Sequence, residues 1–366
     1  MAMEINMKTW IKYNIKLKNL IILFLIIIIG FVAVENSIKR VHVPYYQLQV
    51  EAARVMNESL YVIKEEREAK GIVIDEKLDP NKTGLIGEEY TLLTTTLGNL
   101  SAKRTSTNPD FAALMVKYFY EAGLQSGDIV AIGSSGSFPA LLIATLSACK
   151  SMELAPLIIY SIGASEYGAT IPELTFIDML ETLRENKLLP YKILAVSMGG
   201  NKDQAESMLF PESVEIIRDI AKKTKAYFID IEDLSENIQK RMEIYKEAAG
   251  EKPIKVFVNI GGASVNYGNT SASITYPNGL VINGPKIPDN PERGLIFEYQ
   301  LLNIPVIHLL NVRDLALKNG IPIDPIPLPE IGTSQVFFQN KAQKWIIVLI
   351  IIISAIYLFL AKNNKE

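Results

Sequence analysis

A chain of 366 residues with 37 basic and 40 acidic side chains, a formal charge of −3, has no global attraction for nucleic acid and shows no basic block that would bind it. It is long enough for one large hydrophobic core or two modest ones. One cysteine, Cys149, and two histidines, His42 and His308, leave no internal disulfide and no Cys/His metal cluster, and Cys149 among apolar neighbours reads as a small core residue.

The first element is Leu20 to Val34, LIILFLIIIIGFVAV, uncharged and preceded by Lys8, Lys12, Lys16 and Lys18. A membrane span takes about 20 apolar residues. This one becomes adequate when Ile15 and Leu17 are counted and the lysine stems extend toward the headgroups. A cleaved signal peptide is the competing reading, although the segment ends in Val-Glu-Asn without a small-x-small site.

Tyr45 to Lys70 lacks glycine and proline and carries Leu48, Ala52, Val55, Met56, Leu60 and Ile63 at helical spacing. That predicts an amphipathic helix leading away from the membrane and stopped by Gly71. Asp79 to Pro109 is polar and reads as a loop, with Lys103 and Arg104 at the centre of a Thr/Ser/Asn cluster. Asn108 and Pro109 then open a helix through Ala122, with a capping asparagine, a proline in the first turn and Gly123 past the end.

Beyond Gly123 the chain alternates. Strands are predicted at Ile129–Ile132, Leu157–Ile162, Lys192–Ser197, Ala226–Ile231, Lys255–Ile260 and Pro305–Leu310. Helices are predicted between most of them, such as Pro139–Met152, Thr175–Asn186, Ser213–Thr224 and Ser235–Ala249. Such alternation predicts an α/β fold, a Rossmann-like, mostly parallel sheet with helices on both faces.

The last element is Trp345 to Ala361, WIIVLIIIISAIYLFLA, with Lys341 and Lys344 before it and Lys362 and Lys365 after. It predicts a second span with Trp345 and Tyr357 at the interfaces. Four lysines before the first span against Lys39 and Arg40 after it favour cytoplasmic termini and an extracytoplasmic central domain in the cell membrane. The expected organisation is a tail (1–19), a span (20–36), a juxtamembrane helix and polar loop (37–107), an α/β domain (108–330), a second span (345–361) and a tail (362–366).

Four strands end in similar words: VAIGSSGS, IYSIGASE, AVSMGGNKD and VNIGGASVNYGN. In an open parallel sheet the carboxyl ends of the strands line one crevice, where ligands bind. Glycine there lets backbone N–H groups approach a ligand. The candidate floor is Gly133, Ser135, Gly136, Ser137, Ser165, Glu166, Gly199, Gly200, Asn201, Gly261, Gly262 and Ser264. Lys103 and Arg104 would suit an anionic ligand if their loop folds over it.

Asp128–Met152 by itself leaves three readings: an anion cradle, a serine nucleophile on a sharp turn, or a tight strand-to-helix connection. Ser137 reads as the helix cap, leaving unpaired N–H groups and the positive dipole end for a phosphate or carboxylate. No Lys-Ser/Thr follows the glycines as in a Walker loop, and Gly133 and Gly136 have no third glycine in step for a dinucleotide. No cofactor or metal is therefore indicated. A nucleophile elbow centred on Ser135 would need glycine at 137, where serine stands. A serine enzyme would use Ser135 with His308, the one histidine distant from the membrane. Asp203 and Glu166 are the acids available as acid, base or cation ligand.

The strings GLIGEEYTLLTTTLGNLSAKRTSTNPDFAALMV (84–116), GSSGSFPALLIA (133–144), SIGASEYGATIPELTFIDM (161–179) and VFVNIGGASVNYG (256–268) resemble the poly-γ-glutamate system proteins. The resemblance extends over essentially the whole chain, both terminal spans included, and the TTTLG…AKRTSTNP…FAA string is its specific part. It implies a membrane-anchored accessory protein of bacterial poly-γ-glutamate capsule synthesis and export. The implied partners are the bilayer, the synthase or export subunits and the anionic polymer; it assigns no catalytic residues. Three roles follow as expectations: a binding and assembly component, a serine-dependent amidohydrolase or transpeptidase acting through Ser135, and a nucleotide- or phosphate-binding regulatory subunit.

Overall fold

The computed structural model describes residues 17–205, 208 and 210–363; Lys8, Lys12, Ile15, Lys16 and Lys365, used above for span length and orientation, lie outside them. The chain runs through helix α1 (Leu17–Asn36), strand β1 (Lys39–His42) and helix α2 (Tyr46–Ala69). Strand β2 (Thr94–Thr96) and helices α3 (Leu100–Ser106) and α4 (Asp110–Glu121) follow. The alternating stretch begins with β3 (Ile129–Ser135), α5 (Pro139–Ser151), β4 (Ala155–Ser161), the two-residue β5 (Ala164–Ser165) and α6 (Phe176–Glu185). It continues with β6 (Ile193–Ser197), α7 (Ser213–Lys223), β7 (Tyr227–Ile229), α8 (Leu234–Ala249) and β8 (Ile254–Ile260). Then come α9 (Ser264–Tyr267), α10 (Ser271–Ile274), β9 (Gly279–Val281), α11 (Leu295–Leu301), β10 (Val306–Leu309) and α12 (Val312–Asn319). Strand β11 (Phe338–Lys341) and helix α13 (Lys344–Asn363) follow.

Two compact units result, one from the terminal segments up to Val43 and from Phe338 onward, the other Pro44–Phe337. In the terminal unit, Leu17–Asn36 and Lys344–Ala361 are long and apolar enough to cross a membrane, and almost none of either surface is covered by protein. Gly30 lets them approach, since a Cβ there would lie 2.6 Å from Ile350 Cδ1. Strands β1 and β11 pair antiparallel, Lys39 opposite Lys341 through His42 opposite Phe338. The sequence reading missed this ribbon, which is short and mostly polar.

In the central unit seven strands form one sheet in the order β7-β6-β4-β3-β8-β10-β9. All neighbours are parallel except β9, which runs antiparallel to β10. From β3 the chain steps outward through β4, β6 and β7, then returns to the other side of β3 with β8 and β10. The strand order therefore reverses between β3 and β8.

Helices cover both faces. Ala131, Ile159, Ala195 and Phe257 pack under Leu234, Ile238 and Tyr245 of α8 and Leu295–Tyr299 of α11. Tyr160, one residue from Ile159 and so on the other face, packs its ring 5.4 Å from that of Phe176 on α6. Helix α5 is buried from Pro139 to Cys149, as an all-apolar helix must be. It lies beneath both α4 and α2. The amphipathic helix α2 is thus an outer layer of the domain, not a stalk, because its apolar stripe is what covers α5. Residues 79–109 also differ from the expected loop: α3 forms within them, and Lys103, Thr105, Ser106, Thr107 and Asn108 are buried. Their short polar side chains satisfy nearby carbonyls, Ser106 Oγ donating to Lys103 O at 2.6 Å and Thr107 Oγ1 to Arg104 O at 2.8 Å.

Candidate functional site

The exits of β3, β4, β6, β8 and β10 open onto a single cavity of about 710 Å³ beside the reversal between β3 and β8. Ser135, Ser137 and Phe138 contribute from β3, Gly163 and Ser165 from the β4–β5 exit, and Gly200 and Asn201 from β6. Gly262, Ala263 and Ser264 follow β8, and Leu310–Arg313 follow β10. The polar segment Thr95–Lys103 closes another wall. Gly261 makes one approach possible: at φ +86°, with a Cβ that would fall 2.8 Å from Ser135 Oγ, only glycine brings this backbone against that hydroxyl.

Lys103 dominates the electrostatics. Its side chain is buried, and its Nζ donates to Ser137 O, sits 2.7 Å from Ser165 Oγ and lies 4.2 Å from the centre of the Phe138 ring. No carboxylate within ion-pair distance compensates it among the described residues. Burial therefore pushes its amine down from 10.5 to about 7, with the Glu166 carboxylate acting weakly in the opposite direction. The other charged side chain lining the cavity is Arg313, exposed in the first turn of α12 and in no ion pair among the described residues. Among the described residues no aspartate or glutamate lines the cavity.

Of the serines lining the cavity, the two at the β3 exit are in different states. Ser135 Oγ is buried and has no hydrogen-bond partner among the described residues. Ser137 Oγ accepts from Ser165 N at 3.1 Å, so it fastens β5 to the β3 exit and does not cap α5. The cap position of α5 falls to Phe138, which has no side-chain acceptor. Asn108 does not cap α4 as expected: the cap position falls to Pro109, and Asn108 Oδ1 one residue earlier accepts from Asp110 N at 3.0 Å.

Comparison with protein-family models, curated proteins and solved structures finds no match. The chemical reading of the cavity rests on its own atoms.

Several expected site residues have other duties. Lys103 and Arg104 do not act as a pair, because neighbours on a helix point about 100° apart. Arg104 turns out to a two-pronged contact with Asp324. Asp203 does not line the cavity: it is fully buried against Arg241, with Nη2 2.7 Å from Oδ2. Its Oδ1 accepts from Ser161 Oγ, Ser197 Oγ and Gly199 N at 2.8–3.0 Å, and Asn237 Nδ2 donates to Oδ2 at 3.1 Å. It anchors the turn that presents Gly200 and Asn201. Glu166 Oε2 accepts from Gly98 N at 2.8 Å, fixing the opposite wall without lining the cavity.

His308 stands in register with Asn259, which stands opposite Gly133, so it lies two strands from β3, about 10 Å away. It is buried between Tyr267 and Tyr276, its Nδ1 is 2.9 Å from Asn259 Nδ2, and burial holds it down to about 4. The structure does not bring it to Ser135, so the Ser135–His308 combination has no geometric basis. Gly133 does not line the cavity either; it makes room for Asn266.

The expectation of open glycine amides holds only in part. Gly136 N donates to Ser161 O at 3.0 Å and Gly261 N to Leu309 O at 2.9 Å. The N–H groups of Ser137, Phe138 and Gly262 have no acceptor among the described residues. Arg313 was missed in the sequence because β10 ends without a glycine. The available signal was Asn311, a capping residue two positions earlier, whose Oδ1 accepts from Asp314 N at 3.1 Å.

Proposed function

We propose that this protein is a membrane-anchored component that receives an anionic, carboxylate-bearing chain in the cavity at the carboxyl edge of its sheet. The observation that carries this reading is the basic character of the lining: among the described residues Arg313, exposed and charged, and the amine of Lys103 are its basic side chains, and no acidic side chain opposes them. Serine hydroxyls and unbonded N–H groups at the start of α5 add neutral donors that favour a carboxylate. The reversal of strand order at β3 supports a Rossmann-like reading of the sheet, in which ligands bind at such a point.

The resemblance of the quoted strings supplies the polymer, poly-γ-glutamate, and the setting, its synthesis and export at a bacterial membrane. In this reading the two apolar helices anchor the protein, the central domain faces away from the cytoplasm, and the synthase or export subunits are its partners. The test is titration of the full chain, held in lipid nanodiscs, with poly-γ-glutamate by calorimetry at low and moderate salt. Saturable binding that weakens with salt is expected, and Arg313→Ala should weaken it about five- to tenfold. Wild-type protein that binds no polymer at low salt overturns the reading.

A further inference from the structure

We propose that Ser165 and Lys103 form a nucleophile–base pair that cleaves an amide bond of a chain bound in the cavity. Three geometric facts carry it. Lys103 Nζ is 2.7 Å from Ser165 Oγ, Ser165 lines the cavity, and among the described residues no carboxylate within ion-pair distance holds the amine in its charged form. A neutral amine has two N–H bonds and one lone pair, and the surroundings match that inventory. One N–H points to Ser137 O and the Phe138 ring lies near the nitrogen; Ser165 Oγ, which accepts from the charged amine, would in the neutral form turn its hydroxyl proton to the lone pair. Desolvation, which holds the amine near neutrality, supports the same state. Glu166 is the one acid acting on it, and Arg104 on the same helix is turned away to Asp324.

The step balances as follows. Ser165 Oγ attacks the amide carbon and its proton passes to Lys103 Nζ. The C–N bond then breaks as Lys103 returns that proton to the leaving nitrogen, giving an amine and an acyl ester on Ser165. Water attacks the ester, Lys103 takes its proton and returns it to Ser165 Oγ, and a carboxylic acid leaves and ionises. The developing oxyanion has donors on the same cavity wall in the unbonded N–H groups of Ser137 and Phe138 and the unpartnered Ser135 hydroxyl. This inference rests on the proposed anionic ligand only for its choice of substrate; the nucleophile stands on the pair itself.

The experiment treats the full chain in nanodiscs with a fluorophosphonate probe, which phosphonylates activated serines, and maps the adduct by mass spectrometry. A single adduct on Ser165 is expected, absent in Ser165→Ala. Its rate should rise with pH through about 7 as the amine loses its proton. Lys103→Met should slow labelling at least about 100-fold. If Lys103→Met fails to fold, as judged by calorimetry, the small Ser165→Ala change and the wild-type pH profile decide the question. No adduct, an adduct on Ser135 or Ser137 instead, or a rate independent of pH overturns the pair. Polymer binding is measured on the same preparation. Binding without an adduct removes the pair and leaves the receiving role, whereas an adduct without binding keeps the pair and removes the anionic ligand.

Discussion

Replacing Lys103 with methionine keeps most of the side-chain volume and removes an amine whose protonation the fold opposes. Burial holds it at about 7 against 10.5 in the unfolded chain. Over the interval between those values the unfolded state binds the proton and the folded state does not. Stability from this residue is therefore complete above 10.5 and is lost progressively as pH falls toward 7. At about 1.4 kcal/mol per pH unit, the whole interval corresponds to about 5 kcal/mol. Between pH 7 and 9 the wild-type domain should gain about 2 kcal/mol, a rise of roughly 4 °C in melting temperature for a domain of this size. Few other groups interfere in that window. His308, held at about 4, and Asp110, pushed up to about 6 by burial, titrate below it. Cys149, pushed up by burial from 9.0, acts only above it. Scanning calorimetry of the detergent-solubilised chain is the suitable assay, because residues 44–337 contain no tryptophan to report on the central unit. Lys103→Met should be flat across the window and more stable than wild type at pH 7. Parallel profiles for the two proteins would refute the account of Lys103 as a desolvated, uncompensated amine.

Arg241→Met strands the buried Asp203 carboxylate and should cost about 3–5 kcal/mol, lowering the melting temperature by roughly 6–10 °C. Adding Asp203→Asn should recover a large part of that loss, and a single-variant drop under about 2 °C would show that Asp203 has other compensation. Arg104→Ala breaks a part-buried contact with Asp324 and should cost about 1 kcal/mol, leaving calorimetric binding of poly-γ-glutamate unchanged. Weakened binding in that variant would return Arg104 to the cavity.

The alternating core was legible in the sequence because its signals are local. Apolar runs such as IVAI and VFVNI bounded by turns mark buried strands, and periodic segments such as 213–224 mark the helices between them. The residues that decide the site were less legible because their roles depend on direction and distant partners. Lys103 and Arg104 are adjacent in the sequence, but only the unpredicted helix α3 sends one into the cavity and the other to Asp324. Asp203 reads as a loop acid until Arg241, on α8, closes on it. Ser165 stood among the expected floor residues, yet its proximity to Lys103 spans 62 positions and no local pattern announces it. The edge strand β9, three residues long with Gly279 at its start, carries too little alternation to be read as a strand.

The cavity wall is stitched from seven stretches scattered between Thr95 and Ile323, so no short fragment of the chain contains it. Occupancy consequently clamps the beginning, middle and end of the domain at once. A molecule held at a hundred times its dissociation constant would add about 2.7 kcal/mol against unfolding of the entire unit. Resistance to protease throughout residues 44–337, not merely near the opening, is the signature such a filled chamber would leave.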